Sequence, residues 1–182
     1  HVRMAQAGET IELLNDQTYE MQDDVLVIAD DSGAIGMAGV MGGNSTKAEL
    51  HTQNIFLESA FFAPHVIQGK SRRFRFSSDA SHRFERGVDF MGQVEALELA
   101  SRLVLDICGG QVGAVSEVVA QLPQREQLNM RVARAQKVIG VAIPADDMVQ
   151  YLSRLQLDVS CRMDDQQGEI LSVTAPSYRF DM

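Results

Sequence analysis

The sequence predicts a chain of the α/β to α+β class, with a mixed-sheet first part followed by a small α+β unit. Three observations predict it. Short apolar runs bounded by turn residues fill the first 62 positions, which is the pattern of strands. Between Asp89 and Cys108 the apolar residues change to helical spacing. Near residue 111 the composition becomes glutamine-rich, and a second set of short elements begins.

Taken in order, 10–14 and 19–22 are short strands with Asn15-Asp16 as the turn between them. The run Val25-Leu26-Val27-Ile28-Ala29 is a third strand, ending at Asp30-Asp31-Ser32-Gly33, whose composition favours a turn. A glycine-interrupted strand over 34–41 follows, then a strong strand over 55–62 carrying one acid, Glu58. Pro64 suits the first turn of a helix, where its missing N–H costs nothing, and a helix over 64–74 fits. Asp89 is placed to cap a long helix to Cys108 with Phe90, Val94, Leu97, Ser101, Val104, Leu105 and Cys108 as its inward stripe. Gly109-Gly110 ends it.

The stretch 111–127 is expected as a strand plus linker. A strand (128–132), a helix (133–139) ending at Gly140, a helix (145–155) after Pro144 and two strands (158–163 and 169–175) around the turn 164–168 complete the chain. The domains are expected at 1–118 and 119–182.

Composition narrows the function classes. At 182 residues the chain holds one domain or two small ones, on a scale of roughly 100–200 residues per domain. It is 45% hydrophobic and 23% charged, near globular averages, which excludes disordered and collagenous chains. No apolar run nears the ~18–20 residues of a membrane span, and no secretory signal is expected, since no basic stretch followed by an apolar one stands at the start of these residues. Cys108 and Cys161 form no CxxC pair; two buried free thiols in a reducing cytoplasm are expected rather than a disulfide.

The net charge is −9, which opposes a stand-alone nucleic-acid binder. The charge is uneven, however. Residues 64–88 hold Lys70, Arg72, Arg73, Arg75, Arg83 and Arg86 against Asp79 and Glu85, a surplus of four, so the remainder carries −13. A local field of that sign can guide an anionic ligand, or it can be a solvated helix face.

Three stretches could carry chemistry. Gly36-Met-Ala-Gly39-Val-Met-Gly42-Gly43 lacks dinucleotide-fold spacing, and Gly69-Lys70-Ser71 is no P-loop because Pro64 stands where its first glycine belongs. Such glycines permit close approach of a ligand or another backbone. Glu58, in an otherwise apolar strand, is either an edge carboxylate facing solvent or a polar acceptor in an apolar pocket. Ser77 to Gly87 gathers hydroxyls, a His, an Asp and arginines. Adjacent Ser, His and Asp do not make a triad, and His1, His51, His65 and His82 lack metal-ligand spacing.

The order Ala38-Gly-Val-Met-Gly-Gly43, Asn54-Ile-Phe-Leu-Glu-Ser-Ala-Phe-Phe62 and Ser78-Asp-Ala-Ser-His-Arg-Phe-Glu-Arg-Gly-Val-Asp89 closely resembles the phenylalanine–tRNA ligase beta-subunit family. So does Ala175-Pro-Ser-Tyr-Arg-Phe-Asp-Met182. The resemblance implies an internal fragment: the C-terminal part of a B3/B4-like editing domain at 1–118 and a B5-like domain at 119–182, truncated at its C-terminus. It implies that tyrosine mistakenly attached to the phenylalanine tRNA is hydrolysed here. Glu58 would recognise the tyrosine hydroxyl, Ser78 stands where the family usually has threonine, Ala80 would shape the pocket, and Gly39 and Gly42 would border the substrate.

Further pocket residues, in a family L-G-Q-P-x-H-A-F segment, would lie upstream of His1. Asp181 matches one family magnesium ligand, and the remaining ligands lie past the end of this chain. ATP and Mg2+ would serve the whole enzyme, with neither expected bound within this chain. The implied partners are an alpha subunit, in an (αβ)2 heterotetramer, and tRNA(Phe); no membrane or DNA partner is expected, and the implied location is cytoplasmic. No side chain here is an evident general base for hydrolysis, so a positioned water with substrate-assisted proton transfer is expected. The alternative is a non-catalytic structural or tRNA-docking module with a degenerate editing pocket.

Overall fold

Alternating buried and exposed side chains set the first sheet. In the computed structural model, which describes residues 1–182, β1 (Val2–Met4), β4 (Leu26–Asp30), β5 (Gly33–Met37) and β6 (Met41–Gly42) form a four-stranded sheet in the order β1-β4-β5-β6. Val27 and Ala29 of β4 point inward and are buried, while Leu26 and Ile28 are half-buried, the period of two that a strand imposes. The turn before β5 is fixed by Asp30, whose Oδ1 accepts from both the backbone N–H and the hydroxyl of Ser32.

A separate hairpin pairs β2 (Thr10–Glu12) with β3 (Thr18–Glu20), its turn containing Asp16 at φ +58°. The hairpin joins the sheet through a Leu13–Gly43 bridge and a bond from Leu14 N–H to the Gly42 carbonyl. Leu13, Met21, Ile67, Val25, Val27 and Val40 are the largest fully buried side chains of this core.

The helical part departs from expectation. The single helix over 64–74 is two short helices, α1 (Pro64–Ile67) and α2 (Lys70–Arg73), because Gly69 between them adopts a left-handed φ of +76°. A third, α3 (Asp79–Phe84), occupies the stretch expected to be a polar loop. The long helix, α4 (Gln93–Cys108), starts after Gly92, with the Asp89 carboxylate holding Met91 N–H rather than capping the helix itself. Its inward stripe is shallow. Leu97, Ala100, Ser101 and Val104 are half-buried, and Leu99, Leu103 and Ile107 are exposed.

The strand expected over 55–62 does not form. That segment pairs with no other strand, and Ile55 and Phe56 are exposed, the latter at 91%. The hydrophobic run supplies strand propensity, but a strand exists only with a ladder partner. Only the segment's end is anchored, by buried Phe62.

The second unit, Val115–Met182, follows the sequence closely from β7 (Leu128–Arg131) onward. After β7 come α5 (Val132–Ile139), α6 (Ala145–Arg154), β8 (Asp158–Asp164) and β9 (Gly168–Thr174), with sheet order β7-β9-β8. The strand expected before it, within 111–127, is absent. Leu171 of the central strand is fully buried among Val132, Met148, Leu157 and Val173. The first unit is His1–Ala114. Every strand pair in both units is antiparallel, which places the chain at the α+β end of the expected class. Both cysteines are free, as expected, but exposed rather than buried: Cys108 closes α4, which buries no side chain, and Cys161 lies on β8, at the sheet edge.

Candidate functional site

The three sequence motifs meet at one ring. Phe84 closes α3. It packs on Phe62 with ring centroids 5.4 Å apart, and it lies over Gly39 in the turn between β5 and β6. Gly39 has φ +66°, and a Cβ there would sit 3.1 Å from the Phe84 ring and 3.2 Å from Ile67. The absence of a side chain at 39 thus admits a phenylalanine of the same chain, in a backbone conformation that favours glycine.

Ser78 ties α3 to the same turn. Its hydroxyl donates to the Val40 carbonyl at 2.5 Å and accepts from Ser81 N–H at 3.0 Å. Ser81 reciprocates by accepting from Ser78 N–H at 3.1 Å, completing a capping box. Ser81 fills the role usually given to Glu or Gln, which is why the helix was not evident from the pattern; the Ser-x-x-Ser spacing was the signal available. Ala80 is half-buried in the first turn of α3.

The other glycines differ in what they do. A Cβ at Gly43 would overlap the Ile35 carbonyl, to which Gly43 N–H donates at 2.8 Å. Gly42 is exposed, and a Cβ there would make an ordinary 3.4 Å contact with Leu14.

Glu58 lies four residues before Phe62 on the unpaired segment. Its side chain is solvent-accessible, no donor of the chain engages its carboxyl, and partial desolvation pushes its pKa above the ordinary value. Desolvation without a compensating cation disfavours the charged form. The arrangement leaves an acceptor available to an outside donor.

The basic stretch is sorted by one acid. Asp24, in the turn before β4, accepts from Lys70 Nζ at 2.5 Å and from both terminal nitrogens of Arg73 at 2.5 and 2.6 Å. These cations hold its carboxyl well below the usual range, Arg73 most strongly. Lys70 is buried. Arg72, between them in sequence, is exposed and unpaired, and lines an open cleft of about 340 Å³ with Gln68, Gly69, Glu85 and Arg86.

In the second unit, Asp181 is bound by Arg179, Nε to Oδ1 at 2.8 Å, and its pKa is lowered chiefly by that bond. No three His, Cys, Asp or Glu side chains gather anywhere in the chain. Within residues 1–182 Asp181 is held by Arg179 and belongs to no group of three such side chains.

Residues 1–109 match the B3/4 domain family, and residues 128–182 match the tRNA synthetase B5 domain family. Three relatives are each called phenylalanine–tRNA ligase beta subunit. That of Thiobacillus denitrificans is 50% identical over 181 residues, that of Chromobacterium violaceum 50% over 181, and that of Neisseria meningitidis serogroup A 45% over 182. Each match takes in all of this chain and 22% of the relative, so the chain spans about a fifth of the length of these curated relatives.

Proposed function

Since the chain belongs to the B3/4 domain family, in the form borne by phenylalanine–tRNA ligase beta subunits, we propose that it carries part of an editing pocket that hydrolyses tyrosyl-tRNA(Phe). The observation that carries this reading is Glu58: a solvent-accessible carboxyl with no partner in the chain, four residues before Phe62, which packs on the Phe84 ring where the three motifs meet, and raised in pKa by partial desolvation.

Tyrosine differs from phenylalanine by one hydroxyl. An apolar pocket rejects an added hydroxyl by only about 10²-fold, whereas a site built to hydrogen-bond it discriminates by about 10⁴–10⁵. Glu58 as acceptor for the phenol O–H would supply that second selection. In the reaction a water oxygen attacks the ester carbonyl, the bond to the terminal ribose oxygen breaks, and that departing oxygen takes up the proton the water gives up, leaving free tyrosine and a ribose hydroxyl. The Ser78 hydroxyl already serves Val40 and Ser81, so a positioned water, with proton transfer assisted by the substrate, performs the attack.

The larger context belongs to the same proposal. The segment works within a cytoplasmic, ATP- and Mg2+-dependent phenylalanine–tRNA ligase with an alpha partner in an (αβ)2 assembly. The alternative, a structural or tRNA-docking module with a degenerate pocket, is favoured by that same engagement of Ser78. In the complete synthetase, Glu58→Ala should abolish hydrolysis of tyrosyl-tRNA(Phe) while leaving phenylalanylation intact. Unchanged tyrosyl-tRNA hydrolysis in that variant would exclude the role of Glu58; its absence in the wild type as well would favour the docking module.

A further inference from the structure

We propose that the cleft between α2 and the end of α3 is a phosphate subsite for single-stranded RNA, with Arg72 as its principal ligand and Arg86 beside it. The inference rests on the tRNA-directed reading above and adds to it a second contact region, distinct from the Glu58 acceptor.

α2 carries three cations in four residues, and Asp24 neutralises two of them. Lys70 and Arg73 are a helical turn apart and share the face bound to Asp24, whereas Arg72, about 100° round the helix from Arg73, is directed to the cleft. It makes no bond to any carboxylate or carbonyl of the chain. Arg86 gives one terminal nitrogen to Glu85 and the His82 carbonyl, at 2.7 and 2.9 Å, which fixes its position and leaves its remaining donors free.

The cleft floor is Gly69, exposed and in a left-handed conformation, where an added Cβ would meet nothing within 4 Å. Gln68 adds a neutral donor at the rim. An open cleft with a free guanidinium, a second guanidinium held by its neighbours and a bare backbone floor matches the bidentate recognition that arginine gives phosphate oxygens. It also bears on the net charge of −9: the cleft lining sets Arg72 and Arg86 against the single acid Glu85, which pairs with Arg86, and so keeps a local surplus of positive charge for an anionic ligand.

The test uses the complete synthetase carrying this chain and a fluorescent single-stranded RNA ending in CCA, with anisotropy followed from low to physiological salt. Arg72→Ala should weaken binding severalfold and reduce the slope of log K against log salt by about 0.7, the value for a single phosphate that is no longer neutralised. Arg154→Ala, which removes an exposed charge from α6, should leave that slope unchanged. No RNA binding at low salt, an unchanged slope in Arg72→Ala, or an equal fall in Arg154→Ala would overturn the proposal. Displacement of the RNA by an equal concentration of inorganic phosphate would overturn the assignment to nucleic acid. RNA binding is read without ester hydrolysis, so a failure here and a failure of the editing reading are told apart.

Discussion

The Ser78 hydroxyl and the Val40 carbonyl are 2.5 Å apart, and this bond couples the helix-forming motif at 78–89 to the glycine turn at 38–43. One oxygen does two tasks: it caps α3 through Ser81 N–H, and it satisfies the carbonyl of a buried residue. The hydroxyl is the essential group, and a threonine could supply it too.

Ser78→Ala should therefore destabilise the first unit by about 1–2 kcal/mol, the loss of an N-cap plus a partly buried hydrogen bond. Ser78→Thr should fall within about 0.5 kcal/mol of wild type, since it changes no partner. Urea denaturation of the three chains, followed by far-UV circular dichroism, checks both. A wild-type midpoint in Ser78→Ala would show the bond to be dispensable.

Among the glycines, substitution by alanine should separate fold from function. Gly43→Ala forces Cβ into the Ile35 carbonyl and should cost several kcal/mol or prevent folding, as backbone overlap is relieved only by shifting the strand. Gly39→Ala meets Phe84 and Ile67 and adds conformational strain besides. Gly42→Ala has room and should fold normally. It is thus the variant in which an abolished hydrolytic activity reports on substrate approach. Thermal melts of all three, with tyrosyl-tRNA hydrolysis by Gly42→Ala within the complete synthetase, make the measurement.

Much of this was legible in the sequence where local signals and tertiary context agreed. The Asp30–Gly33 turn, the Gly109 and Gly140 helix ends and the β8–β9 hairpin all formed as their turn chemistry dictates. The segment 55–62 failed because strand propensity cannot provide a partner, and α3 was hidden because Ser81 occupies the capping position normally marked by Glu. At the candidate site, the sequence singled out Gly39, Ser78 and Glu58, but not that Phe84 fills the space above Gly39. Nor did it pair Asp24 with Lys70 and Arg73, which lie 46 and 49 positions away. Spacing along the chain holds no trace of such pairings.

Stability toward acid should depend on Glu9. Its carboxylate takes both terminal nitrogens of Arg3 at 2.9 and 2.7 Å and two backbone N–H groups, from Gln6 and Ala34. These bonds, Arg3 foremost, lower its pKa from 4.5 to about 2. A carboxyl depressed by folding contributes stability above its unfolded pKa and loses it as pH falls toward the folded one. Glu9→Gln should therefore be less stable than wild type at neutral pH, with the difference shrinking from about 4.5 downward and gone near 2. Denaturation midpoints of both chains across that window decide it; a difference independent of pH would remove the ion pair as its cause.

Glu58 should act with the opposite sign. Desolvation raises its pKa, so protonation begins at a higher pH than for an ordinary glutamate. The carboxylate accepts a phenol O–H well; the protonated acid offers a donor in its place and accepts more weakly. Tyrosyl-tRNA hydrolysis by the complete synthetase should therefore decline on acidification from a point above 4.5, the ordinary glutamate value. Glu58→Gln keeps an acceptor oxygen of the same shape but cannot titrate. Its activity should be lower near neutrality, and this limb of the pH profile should be flat. A wild-type limb that persists unchanged in Glu58→Gln would assign the titration to another group, whereas its disappearance together with preserved folding would assign the titration to Glu58.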